Sequence, residues 1–182
     1  MLPAVVCTER LELRRWGVDD RGALMAAISV SLDELRVWMP WARAMPTAEI
    51  ERALIEASSR RFDRGEDFEY FLFEVSAAEL VGAAALHLRE PERAEIGYWV
   101  RSDRHRRGYA TEAARALTSA AFEHVSSVWA VEIRMDMGNA ASAGVPSKLG
   151  YELIGEEDRD IVTPGHTGRG LVWRTTRGTW QA

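Results

Sequence analysis

The stretch AEIGYWVRSDRHRRGYATEAA, residues 94–114, carries the strongest structural signal in the chain. Its first seven residues are typical of a buried strand, and the alanine-rich run after Tyr109 predicts a helix. A helix start presents unpaired backbone N–H groups and the positive end of the helix dipole, which favour an anion. Gly108 has no Cβ, so it allows the backbone to approach a ligand closely. The stretch therefore predicts an anion site at a strand–turn–helix junction.

Four arginines surround this junction, at positions 101, 104, 106 and 107. Guanidinium groups bind phosphate through paired hydrogen bonds, so the cluster favours a phosphate or pyrophosphate ligand. A nucleic-acid partner is the weaker interpretation, because the chain has a net charge of −5 and lacks the broad basic composition of nucleic-acid-binding domains. We therefore expect no nucleic acid.

Length and composition indicate one soluble domain. The 182 residues are enough for one full core and few for two, so we expect a single domain over residues 1–182. No run approaches the roughly 18 apolar residues of a membrane span, and residues 1–6 are too short for a signal peptide. The single Cys7 excludes an internal disulfide and favours a reducing compartment. We expect a cytoplasmic protein that does not bind membranes.

The first half of the chain contains three predicted helical segments. Asp19 and Asp20 are expected to cap a short helix that ends at Ile28, and residues 31–41 to form a separate helical turn. Thr47 is expected to cap a longer helix. Its apolar positions are Ile50, Ala53, Leu54 and Ala57.

Strand patterns surround the anion site. Three strands are predicted between residues 68 and 100, with turns at Ser76–Glu79 and Glu90–Arg93. After the helix that follows Gly108, further strands are expected at residues 128–135, 151–155 and 171–175. The sum is an α/β domain in which a mixed sheet has helices on both faces.

The predicted helix from Asn139 to Leu149 breaks two local rules. Gly144 lowers its helix propensity, and Pro146 cannot donate to the carbonyl of Ser142. The helix must therefore be held by packing, and it leaves a free carbonyl near a hydroxyl. Such rule-breaking is typical of functional sites.

The order of these elements and their residues resemble the GCN5-related N-acetyltransferases, the GNAT superfamily. The resemblance is closer to the ribosomal-protein-alanine, RimJ/RimL-type subgroup and covers nearly the whole chain. The segments that carry it are residues 8–14, 38–41, 97–100, 107–113, 139–142, 148–151 and 172–174. The resemblance implies a single-domain GNAT fold with a mixed, mostly antiparallel central sheet of about seven strands, flanked by helices on both faces.

The family's phosphate-loop signature is Gln or Arg, two residues, Gly, one residue, then Gly or Ala. Gly108 and Ala110 fit it, whereas His105 stands at the first position. The resemblance implies acetyl-CoA as the cosubstrate and no metal. Residues implied to bind it are Tyr98, Trp99, Val100, His105, Arg106, Arg107, Gly108, Tyr109, Ala110, Thr111, Asn139 and Ser142.

Two residues are candidates for proton transfer. Glu95 lies on the strand that leads into the loop, where related enzymes place a base that acts directly or through water; the alternative is an ion-paired glutamate. The tyrosine acid common in this fold is replaced by Pro146. In the ribosomal-protein subgroup a serine matching Ser142 is implied to meet the coenzyme A sulfur, and the alternative is a serine that caps its own helix.

The acceptor is less constrained by the sequence. Trp38 and Trp41, with Glu95, are candidates for the acceptor pocket, although large aromatic residues are more often core packing. His87 is expected to be structural or solvated. The subgroup implies a protein N-terminal amine of the ribosomal-protein type. Alternatives are a small-molecule or antibiotic amine, or a sensor that binds coenzyme A without catalysis. The family's frequent dimers imply a homodimer.

Overall fold

The computed structural model describes residues 1–89 and 92–181. Of the predicted turn at Glu90–Arg93, residues 90 and 91 lie outside the described residues. The strands are β1 (Val5–Cys7), β2 (Leu11–Arg15), β3 (Asp67–Glu74), β4 (Glu79–Arg89), β5 (Arg93–Val100), β6 (Ala130–Asp136), β7 (Glu152–Asp158) and β8 (Arg169–Thr176). The α-helices are α1 (Arg21–Trp38), α2 (Ala48–Asp63), α3 (Tyr109–His124) and α4 (Ala140–Lys148). None of the described helices is long and apolar enough to cross a membrane.

All eight strands form one sheet in the order β1-β2-β3-β4-β5-β6-β8-β7. Every neighbouring pair is antiparallel except β5 and β6, which are parallel. The predicted mixed, mostly antiparallel sheet is confirmed. It has eight strands rather than about seven, because residues 5–7 pair with β2 as a short edge strand.

The parallel pair is short. β5 and β6 pair only at Arg93–Glu95 and Ala130–Glu132, although β5 continues to Val100 and β6 to Asp136. Beyond this point the strands separate, so an edge of β5 lies unpaired inside the sheet. An unpaired strand edge offers backbone donors and acceptors to a ligand.

Glu132 lies at the last paired position of β5 and β6, just before the two strands separate. Its side chain is almost fully buried and accepts hydrogen bonds from Arg134 and Arg174, and Arg93 lies 3.5 Å away. Burial alone would raise the pKa of Glu132, but the hydrogen bonds from Arg134 and Arg174 outweigh it and hold the pKa below its ordinary value. The cluster stabilises the fold at neutral pH, and this contribution is lost as the pH falls through the lowered pKa.

Helices cover both faces of the sheet, as the sequence predicts. One core lies between the sheet and α3, which buries the expected face that includes Ala113, Leu117 and Ala121. The second core lies under α1 and α2 and includes Leu24, Ile28 and Ile55.

The predicted break between two short helices before Trp41 is wrong. Residues 21–38 form one helix, because buried positions recur at helical spacing through Leu24, Ile28, Ser31 and Leu35 without an interrupting proline. Asp20 occupies the position before this helix, but it makes no side-chain cap. Its carboxylate instead binds Arg14 at 2.5 Å.

Thr47 caps α2 as predicted, with its hydroxyl accepting from the N–H of Ile50 at 3.3 Å. The apolar positions singled out in the sequence do not face the core, however. Ile50 and Leu54 are 53% and 51% exposed. The helix instead buries the face formed by Glu51, Ile55, Ser58 and Phe62.

Gly82 allows β4 and β5 to approach each other beside the division of the sheet. A Cβ at this position would overlap the carbonyl oxygen of Trp99 and lie 3.0 Å from the Cα of Val100. We expect Gly82→Ala to lower the free energy of unfolding by about 2 kcal/mol or more, because backbone atoms must shift to admit the methyl group. Thermal and urea unfolding would measure this.

Gly97 on the adjacent strand is the matched control, since a Cβ there would meet no heavy atom within 4 Å. Gly97→Ala should leave stability nearly unchanged. Equal losses in the two variants would contradict the close-approach argument.

Candidate functional site

Two cavities meet at the divided part of the sheet. The first, of about 770 Å³, lies between the end of α1, the end of β5, the loop before α3 and the start of α4. The second, of about 640 Å³, lies under α2 and the segment that follows α1, over β4 and β5. Both are lined by Met39, Tyr98 and Trp99. A molecule in one cavity can therefore reach a molecule in the other.

The loop before α3 has the backbone of an anion site. Gly108 has a φ of 85°, in the left-handed region, and α3 begins at the next residue. Arg106 also has a positive φ, of 61°. α3 begins beside the first cavity, and its free N–H groups suit an anion there. Residues 104–106 and 108–111 line this cavity, whereas Arg107 does not.

The arginine cluster divides into two pairs with different roles. Arg101 and Arg104 both bind Glu79 and Asp103, with Arg101 largely buried. Their charge is therefore compensated, and they fix the turn after β5. Arg106 and Arg107 are exposed at the loop. The ion pairs of Arg101 and Arg104 were not predicted from the sequence, and Arg104 still lines the first cavity.

His105, at the first position of the signature, ties the loop to β5. Its Nε2 lies 2.9 Å from the carbonyl oxygen of Val100, and its Nδ1 lies 3.3 Å from a carboxylate oxygen of Glu34 on α1. The ring thus joins the end of the strand, the loop and a helix.

A partly buried carboxylate, the Glu112 clasp, fixes the start of α3. Glu112 accepts hydrogen bonds from the Thr8 hydroxyl at 2.6 Å, the Arg10 N–H at 2.9 Å and the Arg10 guanidinium at 2.7 Å. The same guanidinium donates to the carbonyl of Arg107 at 2.9 Å. Burial raises the pKa of Glu112, but these hydrogen bonds outweigh it and leave the pKa lowered. Two segments that carried the family resemblance, residues 8–14 and 107–113, are therefore in direct contact.

The proline-containing helix α4 is completed by a residue from β5. The carbonyl of Ser142, which Pro146 leaves without its helical donor, accepts a hydrogen bond from the Tyr98 hydroxyl at 3.1 Å. The same hydroxyl lies 3.2 Å from the Ser142 Oγ. Burial raises the pKa of Tyr98 to about 12, so it remains a neutral donor at physiological pH. Tyr98 thereby fixes the Ser142 side chain across the divided sheet.

Asn139 caps α4, with its Oδ1 accepting from the N–H of Ser142 at 3.0 Å. Asn139 and Ser142 both line the first cavity. Since Asn139 supplies this cap, the Ser142 hydroxyl is not needed for it.

Glu95 lies on the face of β5 that also carries Gly97 and Trp99. It is partly exposed, and its carboxylate lies 3.4 Å from the Nε of Arg89. The residues that line the two cavities do not include Glu95, whereas they do include Gly97 and Trp99 from the same face. Glu95 is therefore ion-paired with Arg89 at the border of the second cavity, next to lining residues from the same strand.

His87, expected from the sequence to be structural or solvated, lies at the wall of the second cavity. It is directly opposite Glu95 in the β4–β5 register and lines the second cavity. Its Nδ1 lies 2.8 Å from the Oδ1 of Asp67 on β3. A histidine whose Nδ1–H binds a carboxylate presents its Nε2 lone pair as a proton acceptor. Residues 67, 87 and 95 come together only through strand pairing, which no local pattern reveals.

The candidate tryptophans fall in different cavities. Trp38 lines the first, and Trp41 lines the second, where its ring centre lies 6.2 Å from that of Trp99. Trp41 is 49% exposed, so it is a cavity wall rather than core. Among the described residues there is no group of three or more histidine, cysteine or acidic side chains that could hold a metal.

Comparison with known proteins identifies this architecture. Residues 10–152 match the acetyltransferase (GNAT) domain family. The chain belongs to the GNAT family. The match confirms the resemblance inferred from the sequence, and with it the prediction of an acetyltransferase.

Solved GNAT structures share the fold at low sequence identity. RimL, a ribosomal L7/L12 α-N-protein acetyltransferase in complex with coenzyme A, is 19% identical, with 94% of this chain and 97% of that chain covered and a TM-score of 0.85. The microcin C7 self-immunity acetyltransferase MccE, in complex with acetyl-CoA and AMP, is 15% identical, with 93% of each chain covered and a TM-score of 0.84. The ribosomal-protein-S5-alanine acetyltransferase from Vibrio fischeri is 15% identical, with 99% and 100% covered and a TM-score of 0.83. No curated protein sequence matches the chain.

The Glu112 clasp predicts a loop-specific effect of substitution. Glu112→Gln removes the charge that binds Arg10, so we expect a loss of about 1–3 kcal/mol in the free energy of unfolding. We also expect faster amide hydrogen exchange at residues 105–108, because the Arg10 guanidinium then loses the partner that holds it beside the loop. Exchange measured by mass spectrometry checks this.

Glu123→Gln, at the exposed end of the same helix, is the control. It should change neither quantity. Unchanged exchange at residues 105–108 in Glu112→Gln would show that the clasp does not order the loop.

Proposed function

We propose that this GNAT protein binds acetyl-CoA in the first cavity and transfers the acetyl group to a primary amine in the second. The observation that carries the proposal is the meeting of the two cavities at Tyr98 and Trp99, where β5 separates from β6. A thioester at that point would be reachable from both sides. The amine would attack it directly in a ternary complex.

The pyrophosphate and the pantetheine arm of the cofactor would contact different residues of the first cavity. The N–H groups of residues 105–111, with Arg106 and Arg107, suit the pyrophosphate. The pantetheine arm would lie along Tyr98, Trp99 and Val100, where the β5 edge is unpaired. The N–H of Val100 or a neighbouring residue would meet the developing oxyanion.

The chemistry requires two protons to leave the nitrogen. An ammonium must become an amine before attack, and the nitrogen loses a second proton as the amide forms, whereas the thiolate accepts only one. We propose Glu95 as one acceptor, acting directly or through water, and His87, oriented by Asp67, as the other. Ser142, oriented by Tyr98, would protonate or hydrogen-bond the departing thiolate.

For the acceptor, we propose a protein N-terminal amine of the ribosomal-protein type. Support comes from the fold likeness to RimL and to the ribosomal-protein-S5-alanine acetyltransferase. A second candidate is a small-molecule amine. It is favoured by the second cavity, which has a volume typical of small-ligand sites.

The test is to incubate the purified protein with acetyl-labelled CoA, N-terminal peptides of ribosomal proteins and a panel of small amines. Label in a peptide's α-amine supports the first candidate, and label only in small amines supports the second. Tight CoA binding without transfer to any amine would overturn the catalytic proposal and favour a sensor. Intersecting initial-rate lines would support the ternary complex.

Substitution of the proposed proton-transfer groups should lower turnover without loss of CoA binding. We expect Glu95→Gln to lower kcat/KM about 100-fold or more, as loss of a general base does. Ser142→Ala should cost roughly tenfold, the value of one transition-state hydrogen bond of about 1.4 kcal/mol. Steady-state kinetics with calorimetric CoA titration would measure both.

Glu156→Gln, an exposed glutamate on the edge strand β7, is the matched control and should behave as the parent. Parental rates in both Glu95→Gln and Ser142→Ala would contradict the assigned roles.

The His87 role predicts a loss of turnover. We expect His87→Gln to lower kcat/KM about 100-fold while CoA binding is retained. Asp67→Asn should retain part of the rate, because it disturbs only the orientation of the ring. His124→Gln, far along α3, is the control. A parental kcat/KM in His87→Gln would assign His87 a purely structural role.

A further inference from the structure

The exposed apolar stripe of α2 has a specific location. Ile50 and Leu54, each about half exposed, line the second cavity, and so do Trp41 and Met45 from the segment between α1 and α2. Four large apolar side chains with 36–53% exposure thus surround one opening. Contiguous exposed apolar surface around a cavity is typical of a ligand site.

The interior of the second cavity is apolar as well. Its walls include Trp16, Leu24, Ile28, Met39 and Trp99. A cavity with such walls and few polar groups suits an aromatic or aliphatic body.

The two glutamates of its lining both bind arginines. Glu69 binds Arg61 at 3.0 Å, and Glu51 binds Arg21, which lies outside the lining, through one carboxylate oxygen at 3.2 Å. The other carboxylate oxygen of Glu51 is buried and has no hydrogen-bond partner among the described residues. Apart from that oxygen, the negative charge of the two glutamates is compensated, so the main attraction of the wall is for apolar surface.

We infer that the second cavity selects acceptors whose primary amine is carried by a bulky apolar or aromatic group. The inference rests on the proposed function and states the substrate class of its acceptor site: it favours the small-amine candidate, or a peptide with a bulky apolar first residue, over N-termini that begin with Ala or Ser. We assign the apolar group to the acceptor, because the cavity shares the lining residues Met39, Tyr98 and Trp99 with the cavity proposed for the thioester. The amine then reaches the thioester while its apolar body fills the space under α2.

A primary amine beside a bulky apolar group could belong to a small amine or to the first residue of a peptide. Both sources present an amine within a few bonds of an apolar side group. A peptide also carries a main chain beyond its first residue, whereas a small amine does not, so the two arms of the experiment separate them.

In the first arm, 2-phenylethylamine and tryptamine are compared with ethylamine and putrescine. In the second arm, peptides that begin with Phe or Leu are compared with peptides that begin with Ala or Ser and are otherwise identical. We expect kcat/KM to be about 10- to 100-fold higher for the bulky apolar member in at least one arm. Equal or higher values for the small members in both arms would overturn the inference.

Variants in the rim test the residues themselves. We expect Leu54→Ala and Ile50→Ala to lower the preference for the bulky acceptor over its small counterpart about five- to tenfold, since each removes apolar contact from the cavity. The KM for acetyl-CoA should not change. Leu153→Ala, an equally exposed apolar residue on β7, is the matched control and should retain the parental preference.

A binding measurement separates failure of this inference from failure of the proposed function. Trp41 and Trp99 lie in the cavity, so 2-phenylethylamine should alter tryptophan fluorescence in the presence of CoA, and Leu54→Ala should weaken this binding. Binding without transfer would overturn the proposed function alone. Absence of binding by every bulky amine and peptide would overturn the inference. A change of oligomeric state in Leu54→Ala would also overturn it, because the rim would then be an interface between copies of the chain.

Discussion

A single buried carboxylate, Glu132, holds the sheet together at the point where it divides. It interacts with an arginine from each of three strands, Arg93, Arg134 and Arg174. A buried glutamate without such partners would be strongly destabilising, so β5, β6 and β8 are constrained to meet there. The parallel pairing of β5 and β6 is fixed at this end and ends within one residue of it. Because β5 and β6 are held together only at this end, they separate beyond it. The separation leaves an edge of β5 unpaired and makes room for the first cavity.

Beyond the division, side chains replace the missing strand pairing. Tyr98 reaches from β5 to α4 and donates to the Ser142 carbonyl that Pro146 leaves free. Glu112 and Arg10 connect the start of α3 to β2. Each contact satisfies a group that local structure leaves without a partner, which is why the irregular backbone at residues 105–108 and in α4 is stable. Tertiary contacts, rather than helix propensity, therefore stabilise the conformation of the site.

The difference between local features and tertiary contacts explains how much of the structure could be predicted from the sequence. The strand–turn–helix around Gly108 and the free carbonyl of Ser142 are local features, and both were predicted. The donor to that carbonyl and the Glu79 partner of Arg101 lie more than 20 positions away, and the proximity of His87 to Glu95 depends on strand register, so these were not predicted. The buried face of α2 was also missed, because both of its faces carry apolar residues and only packing selects Ile55 over Ile50 and Leu54.

The two halves of the site differ in how the chain encodes them. The first cavity is built largely from two short continuous segments, residues 98–111 and 139–145, so its motifs can be read in the sequence. The second draws on the loop after β2, α1, the segment after it, α2 and three strands, with no continuous motif. Substitutions at its exposed rim, such as Leu54, alter no core packing and so change the second cavity at little cost in stability. A chain organised in this way can keep the proposed cofactor cavity unchanged while the walls of the second cavity vary, so the proposed acceptor is argued from those walls rather than from the family motifs.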